Sequence, residues 1–125
     1  MPAGKQATEI ADFTREVTPD SVLLFRYSAL TYNSHRIHYD REYAVNTELY
    51  PALVVHGPLL ATLLVELIYD TIPGATIKTF AFKAIRPTFD THPFTLCAKR
   101  NGNELSLWTV DHQGNLCMTA NATID

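Results

Sequence analysis

Residues 53–69 read Leu53-Val54-Val55-His56-Gly57-Pro58-Leu59-Leu60-Ala61-Thr62-Leu63-Leu64-Val65-Glu66-Leu67-Ile68-Tyr69, and the pattern is that of one helix. Pro58 suits the first helical position, where a missing N–H costs nothing, and Gly57 lets the chain turn into it. From Leu59 to Tyr69 the run is apolar nearly all round. Thr62, Glu66 and Asp70 break it at i, i+4 and i+8, as one narrow polar stripe. Such a helix belongs inside a protein, wrapped by something else. It is too short to span a bilayer, and Glu66 lies within it. Pro73-Gly74 ends it, and the strand-like pattern beyond predicts a sheet around it. Free N–H groups around Gly57 to Leu59 favour an anion or a developing oxyanion, although on local grounds alone plain helix punctuation is the commoner role of such residues.

The 125 residues suggest a single domain over 1–125, and the 46% apolar content is enough for a core. A net charge of -3, with no run of Lys or Arg, argues against nucleic acid and anionic membranes as partners. The N-terminus lacks a basic segment followed by an apolar one, so no secretory signal is expected. Cys97 and Cys117 lie in strand-like segments without C-x-x-C spacing and read as reduced and structural, in a cytoplasmic setting.

Residues 1–8 are small and polar and read as a loose, flexible end. A short strand is expected within 9–17. Thr18-Pro19-Asp20-Ser21 reads as a helix start with Thr18 as the cap, and the helix runs on through Leu30. Residues 31–40 have neither helical nor strand period, yet they hold His35, His38, Asn33, Asp40, Arg36 and two tyrosines. A loop so rich in reactive groups is the chemical candidate. Residues 41–45 suggest one helical turn. After Gly74 four strands are expected, over 77–85, 93–100, 104–110 and 116–124, joined in part by the Asn101-Gly102 turn. The fold class is therefore α+β, with a central helix followed by an antiparallel meander curling around it.

Three segments carry a resemblance: Leu24-Phe25-Arg26-Tyr27-Ser28-Ala29-Leu30-Thr31, then Asn33-Ser34-His35-Arg36-Ile37-His38-Tyr39-Asp40, then Val54-Val55-His56-Gly57-Pro58-Leu59. Together with Phe82, Ile85-Arg86-Pro87, Phe89-Asp90 and Pro93-Phe94, they resemble the MaoC-like hydratase and dehydratase family of hot-dog folds. The branch is that of mesaconyl-CoA and itaconyl-CoA hydratases and the dehydratases of fatty-acid synthesis. The resemblance implies a curved antiparallel sheet around one long helix. It also implies reversible syn addition of water to an enoyl thioester of coenzyme A or acyl carrier protein, with no metal or organic cofactor. Asn33 stands where the family usually has Asp, and His35 where it usually has Asn. Close relatives often carry this sequence as the second half of a double hot-dog chain. A homodimer, or a heterodimer with a second hot-dog chain, is therefore expected.

Imidazole exchanges protons near neutral pH, so His38 is the expected catalytic base. Asn33 would hold the water, unless it only forms a turn. His35 reads equally as a second acid/base group or as a support. Gly57 is the candidate oxyanion donor, with Pro58, Leu59 and His56 beside it as candidate substrate contacts; His56 reads mainly as packing or a cap. Arg86 and Lys83 are candidate contacts for the carrier's phosphates. A metal at His35, His38 and Asp40 is conceivable by ligand type, but no further ligand set supports it. Rival readings are an acyl-CoA thioesterase and a non-catalytic acyl-carrier-binding subunit of a hetero-oligomeric hydratase.

Overall fold

The computed structural model describes residues 3–125. Its central element is helix α3, Gly57–Thr71. Leu59, Leu60, Ala61, Leu64, Leu67 and Ile68 are buried along it, while Thr62, Glu66 and Asp70 form the exposed stripe. The helix begins later than the reading of 53–69 as one helix expects. Val55 N–H donates to the Thr88 carbonyl at 2.7 Å, and Asp90 N–H donates to the Leu53 carbonyl at 3.0 Å. Val54 forms an antiparallel bridge with Phe89. Extending the helix back to Val54 would need a donor at the fourth residue on, which is Pro58 and has no N–H. The β-branched pair Val54-Val55 favours the extended alternative.

Before α3 come strand β1 (Phe13–Val17), helix α1 (Ser21–Leu30), a single 3-10 turn (Arg36–His38) and the short helix α2 (Arg41–Asn46). The α1 cap is Asp20, not Thr18: the Asp20 carboxylate accepts the Leu23 N–H at 2.7 Å. Its two charged oxygens suit the exposed donors of a helix start.

After α3 follow β2 (Ile77–Ala84), β3 (Phe94–Asn101), β4 (Glu104–Val110) and β5 (Leu116–Ile124). The sheet is antiparallel, in the order β1-β3-β4-β5-β2. Only β3, β4 and β5 form a meander. Strand β2 pairs with β5 at the far edge rather than with β3, which corrects the expected four-strand meander. Helix α3 packs on β3, β4 and β5, against a face that includes Phe94, Leu96, Leu105, Leu107, Met118 and Ala120.

Trp108 lies opposite Cys97 in the β3–β4 register, and both are buried. The N-terminal segment runs over this part of the sheet. Leu116 N–H donates to the Lys5 carbonyl at 2.7 Å, and Gln6 Nε2 donates to Asn115 Oδ1 at 2.6 Å. Residues 5–7, read from sequence as part of a loose end, thus have hydrogen-bond partners at the β4–β5 turn; residues 1–2 lie outside the described residues.

One ion pair ties α2 to the segment after β2. Arg41 donates two hydrogen bonds to Asp90, at 3.2 and 2.6 Å, and the Asp90 carboxylate is only 4% exposed. Arg41→Ala would leave that carboxylate buried without its partner. The expected result is a loss of about 2 kcal/mol in stability, read as a lowered urea midpoint with an unchanged slope.

Candidate active site

Four elements meet where α3 begins. The 3-10 turn carries His38, the extended segment before α3 carries Val54 and His56, α1 carries Ser28, and the chain after β2 carries Thr88. His38 is 8% exposed, and its Nδ1 lies 2.6 Å from the Val54 carbonyl oxygen. A carbonyl can only accept, so Nδ1 carries the hydrogen and Nε2 keeps the lone pair. The ring stacks on His56, with centroids 3.8 Å apart and planes 17° from parallel.

His56 is fully buried, and its Nε2 lies 2.7 Å from Ser28 Oγ. Tyr27 packs edge-on against the same ring at 4.8 Å. Burial is the main force lowering both imidazoles from the ordinary value of 6.5. His56 is pushed down to about 4, helped by its neighbour His38. His38 is lowered in spite of the Val54 carbonyl, which favours its charged form.

His38 lines an apolar cleft of about 260 Å³ together with Val54, Gly57, Ile85, Thr88 and Cys117. Gly57 is the first residue of α3, and a methyl placed there would meet nothing nearer than Met118 Cε at 3.9 Å. Thr88 Oγ1 is buried beside the Cys117 thiol without a hydrogen bond of good geometry. Burial pushes that thiol up, so it is a poor nucleophile.

The cleft brings together His38, Gly57 and Arg86, but not every residue that the sequence singles out. Pro58 is exposed and Leu59 is packed in the core, so neither lines the cleft. Lys83 is exposed on β2, also outside it. His35 is exposed, with its ring edge-on to His38 at 5.7 Å. Asn33 is half-buried, and its Oδ1 accepts the His35 N–H at 3.0 Å in an Asx turn; neither Asn33 nor His35 lines the cleft. Asp40 pairs with Arg36 at 2.9 Å and caps α2 through Tyr43 N–H. No cluster of three metal-ligating side chains occurs among the described residues. Sequence reasoning missed Ser28, Thr88 and the Val54 carbonyl. The signals for Ser28 are its place inside the 24–31 segment and its position four residues after Leu24, on the inward face of α1.

The fold is that of the hot-dog hydratases. The (R)-hydratase from A. caviae involved in PHA biosynthesis matches over 100% of this chain and 96% of its own, with a TM-score of 0.78 at 20% identity. One chain of the ChsH1-ChsH2 complex from Mycobacterium tuberculosis matches over 95% of this chain and 98% of its own, with a TM-score of 0.76 at 16% identity. At sequence level, residues 2–90 match the model of hydroxyacyl-thioester dehydratase type 2, and the chain belongs to that family. It is also 50% identical over 107 residues to the mesaconyl-C(4)-CoA hydratase of Chloroflexus aurantiacus. The match covers 86% of this chain and 38% of that relative.

The buried imidazoles set a pH window for stability. Unfolded, each takes a proton near pH 6.5; folded, each resists it to lower pH. Their contribution is therefore complete above about 6.5 and is lost as pH falls through the folded values. The unfolding free energy is expected to drop by roughly 3 kcal/mol between pH 7 and pH 4 from His56 alone. Urea unfolding across that range measures it, and His56→Phe should flatten the slope.

Proposed function

We propose that this chain hydrates enoyl thioesters, or dehydrates the corresponding 3-hydroxyacyl thioesters, with His38 as its acid/base group. The observation that carries this reading is the His38 ring with Nδ1 fixed on the Val54 carbonyl, in one cleft with the N-terminal residue of α3. Nε2 takes a proton from water, and the oxygen of that water bonds to C3 of the alkene. The alkene electrons move to the thioester oxygen, giving an enolate that the Gly57 N–H stabilises. The imidazolium then returns the proton to C2 on the same face, a syn addition. Only protein groups act, and no metal or organic cofactor is needed. Asn33 cannot titrate; its oxygen, which already accepts the His35 N–H, has a second lone pair to orient the water.

Coenzyme A or acyl carrier protein is the carrier we propose, with mesaconyl-type thioesters as the first acyl group to test because of the 50% identical relative. Arg86 lines the cleft and is the basic residue we assign to the carrier's phosphates. We also propose a second hot-dog unit as partner, either another copy or a different chain. Edge strand β2 and the residue after it expose Phe82 and Ile85, at 48% and 46%, and Ile85 lines the cleft. An unpaired strand edge with apolar side chains is a pairing surface. Buried free thiols at Cys97 and Cys117 fit a reducing, cytoplasmic compartment.

The deciding experiment is an absorbance screen of crotonyl-, mesaconyl- and itaconyl-type thioesters for loss of the conjugated enoyl band, with size measurement of the purified protein alongside. His38→Ala should abolish the loss; a folded His38→Ala protein with full activity would overturn the reading. Gly57→Ala keeps the N–H, and its methyl has room within the fold; on the cleft wall that methyl should push the thioester oxygen off the N–H, so kcat should fall more than binding weakens. A rise in KM alone would mean crowding instead. Asn33→Ala should slow turnover roughly 10²-fold, whereas Asn33→Asp, which still accepts the His35 N–H, should keep substantial activity.

A further inference from the structure

Two buried groups have no part in the chemistry above. Ser28 sits on α1 and His56 just before α3, far apart in sequence, and both are cut off from solvent. We propose that they form a positioning pair for His38: Ser28 locks the His56 ring, which stays uncharged beneath His38 and keeps the His38 Nε2 open to take a proton. This rests on His38 being the base.

The geometry supplies two restraints at right angles. The Val54 carbonyl holds His38 within its ring plane through Nδ1. The stacked His56 ring supports it from below at 3.8 Å, and Tyr27 backs His56 edge-on. Rotation of His56 is set by the 2.7 Å contact with Ser28.

The same geometry decides where protons go. His56 Nδ1 is buried without a hydrogen-bond partner among the described residues. A hydrogen there would be an orphaned donor, so Nε2 carries the single hydrogen and donates it to Ser28 Oγ. Charging His56 would force a second hydrogen onto Nδ1. It would also set two cations against each other if His38 were charged, at a spacing where repulsion is strong. The other titratable or charged groups around His38 are His35, edge-on, and Arg86 and Cys117 along the cleft. No carboxylate pairs with either ring among the described residues. The Val54 carbonyl favours a charged His38, and no such acceptor faces His56 Nδ1 among the described residues, so the first proton the stack accepts goes to His38.

The test is an NMR titration of the histidine rings in the free protein, which needs no substrate and so stands apart from the proposed reaction. In the wild type, His38 should be the Nδ1–H tautomer with a midpoint below about 6.5. His56 should be the Nε2–H tautomer and remain neutral from pH 8 to pH 5. A phenyl face stabilises a cation, so His56→Phe should raise the His38 midpoint by about half a unit or more. In the hydration assay, Ser28→Ala should lower kcat about tenfold with KM within about twofold, and Ser28→Thr should recover most of it. A His56 midpoint above 6 in the wild type would overturn the proposal, and that measurement stands even if His56→Phe fails to fold. So would a His38 midpoint unmoved by His56→Phe, or Ser28→Ala turning over at the wild-type rate. A protein whose rings behave as stated but that hydrates nothing would refute the proposed reaction and leave the stack intact.

Discussion

The site depends on one unclaimed carbonyl. Had α3 continued back through Val54, that oxygen would have faced residue 58 and its N–H. Residue 58 is proline, so no such donor exists. The chain instead runs extended into the helix, pairs with Thr88–Asp90, and leaves the Val54 oxygen to the His38 ring. A single missing hydrogen therefore ends the helix, starts a short strand and settles which nitrogen of His38 is basic. It also leaves the first residue of α3 beside that imidazole, on the wall of one cleft.

Burying two imidazoles works against stability at acid pH and in favour of the proposed chemistry. Apolar surroundings disfavour the charged ring, so under the proposed reaction His38 would meet water unprotonated. They also strengthen the field of the helix N-terminus at the cleft, where the proposed reaction puts the thioester oxygen, because little solvent screens it. The cleft lies against the exposed edge of β2, and the same strand that flanks the chemistry offers the edge for a second unit. Pairing there would exclude more water from the cleft mouth.

Local patterns carried much of the fold. The apolar run with its Thr62–Glu66–Asp70 stripe could only be a buried helix, and Asn101-Gly102 marked the hairpin, although the turn itself falls one residue later, at Gly102-Asn103, with Asn101 still paired to Glu104. Alternation placed Leu105 and Leu107 on the core face and Trp108 on the other. Where local signals competed, they misled. Thr18-Pro19 looked like a helix start, but Asp20 has the charged oxygen that reaches Leu23 N–H. Leu53, Val54 and Val55 extended the apolar run of the helix, yet backbone pairing with a distant segment won. The far-edge position of β2 has no local signature, because strand order is settled by which backbones meet.

The sequence by itself determined the α+β class, the buried helix, the irregular loop within 31–40 that carries His35 and His38 and, through residues 24–31, 33–40 and 54–59, the family. Each is written in the periodicity or identity of residues close together along the chain. Only the tertiary structure decided that His38 is buried rather than displayed on a loop, and that its ring lies on His56. It also set Pro58 and Leu59 outside the cleft and brought Ser28, Thr88 and the Val54 carbonyl to the site. The reason is physical. A side chain's hydrogen-bond partner and its dielectric are properties of what packs around it, and here those neighbours come from four segments well separated in the chain.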